Sequence, residues 1–94
     1  MLYKILLTID LQHISTKEIN QISEKLSDLK WLNLDEQKST WKSEKSASDV
    51  IAVKFIIERE LQLLIRTCRL IELNYAFQLS LGEISMGKLR QFNY

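Results

Sequence analysis

The sequence predicts one α+β domain, a four-stranded antiparallel sheet with two helices on one face. Three observations predict it. Residues Leu70 to Leu81 alternate without a break: Ile71, Leu73, Tyr75, Phe77, Leu79 and Leu81 are apolar, and polar or small residues lie between them. Side chains on a strand point to opposite faces in turn, so this is a strand with one greasy and one wetter face. Residues 2–11 alternate in the same way. Two further segments instead carry apolar residues three and four apart, which is the single buried stripe of a surface helix.

In chain order, the first strand spans residues 2–11. Tyr3, Ile5, Leu7, Ile9 and Leu11 form one face; Lys4, Thr8 and Asp10, with Leu6 among them, form the other. The first helix starts at Ser15. Ser15 and Glu18 make an S-x-x-E capping box, in which each side chain satisfies a backbone N–H at the helix start. Ile19, Ile22, Leu26 and Leu29 form its stripe. Trp31 to Leu34 begins a second strand. It runs into a polar stretch, 35–49, in which Trp41 and Ala47 are the apolar relief. That stretch reads as a protruding hairpin end or loop. Val50 to Ile56, V-I-A-V-K-F-I, is β-branched and nearly all apolar, and reads as a third strand buried on both faces. The second helix is expected from about Ile57 to Arg69, with Leu61, Leu64, Ile65 and Cys68 buried. The alternating strand 70–81 follows, then a tail, 82–94.

The order is therefore β-α-β-β-α-β. Two one-sided helices must cover the same sheet face, and right-handed crossovers then give the ferredoxin-like split β-α-β arrangement. Its usual strand order, 4-1-3-2, places 2–11 and 50–56 in the centre. The second and fourth strands become edges, and a free edge invites pairing with another copy, so a homodimer is expected.

Composition bounds the function. The 94 residues make one domain, 1–94. The net charge of +1 supplies no overall field for nucleic acid or an anionic membrane. A single cysteine, Cys68, excludes an internal disulfide and a cysteine-rich zinc site. The N-terminal run is apolar but too short to span a bilayer, and it lacks a basic region and a cleavage site, which points to the cytoplasm and away from membranes. Zero Pro and two Gly favour long regular elements. No phosphate-cradling loop, dinucleotide fingerprint, H-E-x-x-H, C-x-x-C or G-x-S-x-G motif is present.

Some residues still have chemistry to offer. Asp10 ends a central strand just before a loop and a helix, where a carboxylate can hold Mg²⁺ through oxygen. The simpler reading, a strand end capping a turn, weighs more on spacing alone. His13 can act as a general base near neutral pH, although a lone loop histidine is more often just solvated. Trp41 sits between Lys38 and Lys42, where an indole can stack a base while ammoniums meet phosphates. Asp35, Glu36 and Glu44 offset that field and favour a packed indole at a loop tip. Arg66 is a phosphate contact or a helix-end charge complementing the dipole, and the second is preferred. Cys68 reads as packing rather than as a reactive thiolate. Lys4, Thr8, Lys54, Glu72, Asn74 and Gln78 are expected to form the polar face of the sheet.

Three stretches carry a family resemblance. Y-K-I-L-L-T-I-D-L at 3–11, I-A-V-K-F-I-I-E-R-E-L-Q-L-L-I-R-T-C-R-L-I-E-L-N-Y-A-F-Q-L-S-L at 51–81, and above all L-R-Q-F at 89–92 resemble the GhoS antitoxin family. That family is similar in fold to the CRISPR adaptation nucleases. The resemblance implies a cytoplasmic antitoxin of a toxin–antitoxin system, an RNA-binding endoribonuclease that cuts a toxin messenger RNA. It implies that Asp10 serves a metal-dependent nuclease site at a dimer interface, holding Mg²⁺ or orienting the attacking water, and that Arg90 belongs to the R-Q-F ending. The family has arginines in the first helix; here Lys25 is the nearest basic residue, and Lys25, Arg66 and Arg90 would steer phosphate. The rival expectation is a non-catalytic protein–protein interaction module, a small bacterial or phage inhibitor or regulator docking through a sheet edge or the tail.

Overall fold

The computed structural model describes residues 1–82 together with 85 and 87. The elements run β1 (Leu2–Ile9), α1 (Thr16–Asp28), β2 (Leu32–Asn33), β3 (Thr40–Ser46), α2 (Val50–Cys68) and β4 (Tyr75–Ser80). One antiparallel sheet has the order β2-β3-β1-β4, the ferredoxin-like order, with two helices completing the α+β fold.

β1 is the axis of the sheet. Tyr3, Ile5, Leu7 and Ile9 are buried, and Lys4, Leu6 and Thr8 face the other way. Leu7 stands opposite Trp41 on one side and Phe77 on the other, so the core face runs continuously across three strands. α1 begins with the expected capping box: the Ser15 hydroxyl accepts from the Glu18 N–H, and the Glu18 carboxylate accepts from the Ser15 N–H. Its stripe buries Ile22 and Leu26.

Two elements differ from the sequence expectation. Val50 to Ile56 is not a strand but the first turns of α2. Asp49 sits in extended backbone as N-cap, and its carboxylate accepts from the Ala52 N–H at 2.8 Å. From there Val53, Ile57, Leu61, Leu64 and Cys68 are all buried, at helical spacing. β-branched composition suggested a strand, but a capped start and one continuous buried stripe outweigh the small intrinsic cost of Val and Ile in a helix. α2 ends at Arg69, in left-handed backbone, whose N–H returns to Arg66 and Ile65.

The third strand is instead drawn from the polar stretch 35–49. Trp41, Ser43 and Lys45 point to the core face, and Lys42 and Glu44 to the open one. Of the inward three, only Trp41 is apolar. Ser43 donates to the Lys30 carbonyl at 3.0 Å. Lys45 donates to the Leu29 carbonyl at 3.1 Å and to Glu60 at 2.9 Å. Glu60 also accepts from the Trp31 indole at 3.0 Å, and the Lys45 ammonium lies 5.3 Å from the centre of that indole. This knot ties β3, α2 and the link from α1 to β2. Before β3, Asp35 closes the turn. Burial pushes its carboxyl up, but the Ser39 hydroxyl and the Thr40 and Ser39 N–H groups together hold it below the usual carboxylate range.

β4 is shorter than the alternation suggested. It starts at Tyr75, not Leu70. Leu70 and Leu73 anchor the preceding segment in the core, while Ile71 is fully exposed. Lys54, expected on the sheet, lies on α2, and Glu72 and Asn74 precede β4.

Two outcomes follow from this architecture. Asp49→Ala should cost about 1 kcal/mol in chemical denaturation through loss of the cap, whereas a strand at 50–56 would be indifferent to it. Glu60→Ala should cost about 3 kcal/mol, because it strands a half-hidden ammonium and an indole N–H together. Replacing both charges, Lys45→Met with Glu60→Leu, should cost less than Glu60→Ala alone.

Candidate functional site

Two surfaces stand out: a cleft where β1 meets α1, and the outer edge of the sheet at β4.

The cleft is built by the exit from β1. The Asp10 N–H donates to the Asn74 carbonyl at 2.9 Å, which fixes the strand end against the segment before β4. The Asp10 carboxylate turns back to accept from the Gln12 N–H at 2.9 Å, so it caps the turn. The chain then reverses through His13, whose φ of 66° is left-handed. The resulting cleft, about 320 Å³, is lined by Asp10, His13, Glu18 and Glu72, with Ile14 and Leu70 as its apolar wall. The Ser15 hydroxyl and the Ser15 N–H hold the Glu18 carboxyl below its ordinary value. Among the described residues no Lys or Arg lines the cleft. Among the described residues, no group of three His, Cys, Asp or Glu side chains is placed to hold a metal ion. One oxygen of the Asp10 carboxylate is thus engaged by the turn, and the described residues do not assemble a metal-ligand cluster around it.

Of the six residues singled out by sequence, the structure brings Asp10 and His13 together in this cleft. Lys25 and Arg66 do not line it. Lys25 lies in the last turn of α1, close enough to Cys68 to favour its thiolate, although burial dominates and pushes that thiol up. Arg66 lies exposed in the last turn of α2. Arg90 lies outside the described residues. For Trp41 the packed indole is borne out, but it lies within β3, not at a loop tip, and offers no ring to a base: it is 1% exposed, inside the core, and its indole N–H donates to the Lys38 carbonyl at 2.9 Å.

The sheet edge falls on the fourth strand, as the sequence predicts, and the structure adds which of its backbone groups face outward. Among the described residues β4 pairs with β1 alone. Ladder bonds in an antiparallel pair alternate, and Asp10 with Asn74 fixes which residues face inward. Asn74, Ala76, Gln78 and Ser80 direct their backbone groups at β1. Tyr75, Phe77 and Leu79 direct theirs outward. The side chains of these three are also the apolar ones, on the helix side of the sheet: Tyr75 is exposed, Phe77 and Leu79 half-buried. The Tyr75 and Phe77 rings stack, centroids 6.2 Å apart. β4 carries no charge, Pro or Gly. α2 adds apolar surface of its own, with Ile51 75% and Phe55 68% exposed. The signal for this pair was the α2 period itself: with Val53 and Ile57 facing inward, Ile51 and Phe55 must face out.

Trp41→Ala should destabilise the fold by about 4 kcal/mol, the cost of emptying a core aromatic site. Denaturation curves check this, and Trp41 fluorescence should be blind to added RNA.

No helix among the described residues is long and apolar enough to cross a membrane. The chain matches no known protein family, no curated protein and no solved structure.

Proposed function

We propose that this chain is a non-catalytic protein–protein interaction module that docks its partner through the β4 edge. The carrying observation is that edge: three consecutive outward-facing backbone positions, uncharged, with half-exposed apolar side chains beside them. Natural edges are blunted by charge, Pro, bulges or brevity. β2 is blunted by brevity, at two residues. β4 has none of these protections. Strand addition uses the backbone for affinity and the alternate side chains for specificity, and β4 offers both on the same three residues.

A second reading keeps RNA chemistry: an antitoxin-type RNA-binding protein with endoribonuclease activity on a toxin messenger RNA, in which Asp10 and His13 meet the substrate. What favours it is that these two residues share one cleft at the end of a central strand. What weighs against it is charge. Asp10, Glu18 and Glu72 face the cleft with no Lys or Arg among its described walls, so a phosphate entering it meets repulsion.

Two measurements separate the readings. Tagged protein purified from its native cells should retain a stoichiometric protein partner, and Ala76→Lys with Gln78→Lys should lose it. Purified protein given a mixed RNA pool with Mg²⁺ should cut nothing. Cuts that vanish in Asp10→Ala and with EDTA would overturn the interaction module and establish the nuclease.

A further inference from the structure

We infer that the occupant of the β4 edge is a second copy of this chain, paired antiparallel about a two-fold axis through Phe77. The inference rests on reading β4 as a docking edge and names the partner. The outward backbone groups belong to Tyr75, Phe77 and Leu79, a set symmetric about its middle member. A two-fold axis there places Phe77 opposite Phe77 of the other copy and Tyr75 opposite its Leu79. Each of the three outward N–H groups and each of the three outward carbonyls then has a partner. A shift of the axis to Gln78 leaves part of Tyr75 reaching beyond the strand, to Leu81 of the other copy.

Side chains agree with the backbone. The central register sets aromatic and aliphatic groups against each other on the helix side, the pairs that stabilise sheets best. On the open side it sets Ala76 against Gln78, with no charge from either copy. A self-pairing strand must avoid meeting its own charge at the two-fold, and an uncharged strand does so completely. A foreign strand would impose no such requirement. The sheet becomes eight-stranded, and its only remaining described edges are the two-residue β2 strands.

The register dictates the test. Positions 76 and 78 of opposite copies form a non-hydrogen-bonded pair, whose Cα separation of about 4.5 Å admits a disulfide. Ala76→Cys and Gln78→Cys, both on the exposed face, are made as separate proteins. Mixed and oxidised, they should form a covalent dimer; neither should do so alone. Sedimentation of the unmodified protein should show a dimer. Ala76→Lys with Gln78→Lys, which sets lysine against lysine twice, should weaken it about tenfold or more. Cross-linking of Gln78→Cys alone overturns the register. A monomer that gives no cross-link in the mixture overturns the inference, and if its Tyr75, Phe77 and Leu79 amides still resist hydrogen exchange, the chain's own C-terminal segment holds the edge. The docking reading fails separately: a heterologous partner retained by the double-lysine variant sinks it, whereas one lost by that variant leaves it standing with a different occupant.

Discussion

The structure depends on the contact of Lys45 with Glu60. β3 is a central strand, yet two of its three inward side chains are polar. A strand so placed is held only if each buried polar group finds a partner, since an unpaired one costs more than its hydrogen bond returns. Lys45 meets that demand with a carboxylate, a helix-end carbonyl and the face of Trp31. Glu60 in turn takes the Trp31 indole N–H. Both side chains are about one-seventh exposed, 13% and 15%, dry enough for geometry to matter. The register of β3 follows. A slip of one residue would turn Lys45 and Trp41 to the open face and bring Lys42 and Glu44 beneath the helices.

The same contact explains what was and was not legible in the sequence. The fold class could be read because β1, the α1 capping box and the alternation through Tyr75, Phe77 and Leu79 each announce themselves by period. The strand order could be read as well, because the fold constrains it. The identity of the third strand could not. V-I-A-V-K-F-I has the composition of a buried strand and T-W-K-S-E-K-S that of a loop, yet their roles are exchanged. What decides is a local cap, Asp49 on α2, together with a distant partner, Glu60 waiting for Lys45 fifteen positions earlier in the chain. Alternation reports two faces but not which is buried, and it says nothing of polar groups satisfied from another element. The edge of the sheet was legible in kind. Which of its backbone groups face outward needed the register, which the Asp10–Asn74 bond supplies.

The two candidate surfaces differ in how much of their chemistry is already spent. Asp10 is committed to Gln12, Glu18 to Ser15, and Asn74 to Asp10. Two of its carboxylates and one backbone carbonyl are thus engaged in forming the turn that makes it. That is the expected economy of a loop which must reverse without Pro or Gly: its acids cap, and His13 takes the left-handed position that a glycine would otherwise fill. At β4 the opposite holds. The outward backbone groups of three residues have no described partner strand, and their side chains are only partly covered.

Charge sorts the two surfaces further. A near-neutral chain lacks a general field, so any polyanion must be held by a local basic cluster. Lys42 faces the open side of the sheet, Lys4 pairs with Glu44, Lys45 is enclosed, and Arg66 stands at a helix end. These four cations lie on several elements, and the described walls of the cleft hold no Lys or Arg. An uncharged edge strand has no such requirement. Its binding energy comes from backbone groups that water already solvates and from apolar area that water does not favour, and both terms survive physiological salt. A partner held at β4 would therefore stay bound as ionic strength rises, whereas RNA held through dispersed lysines would let go.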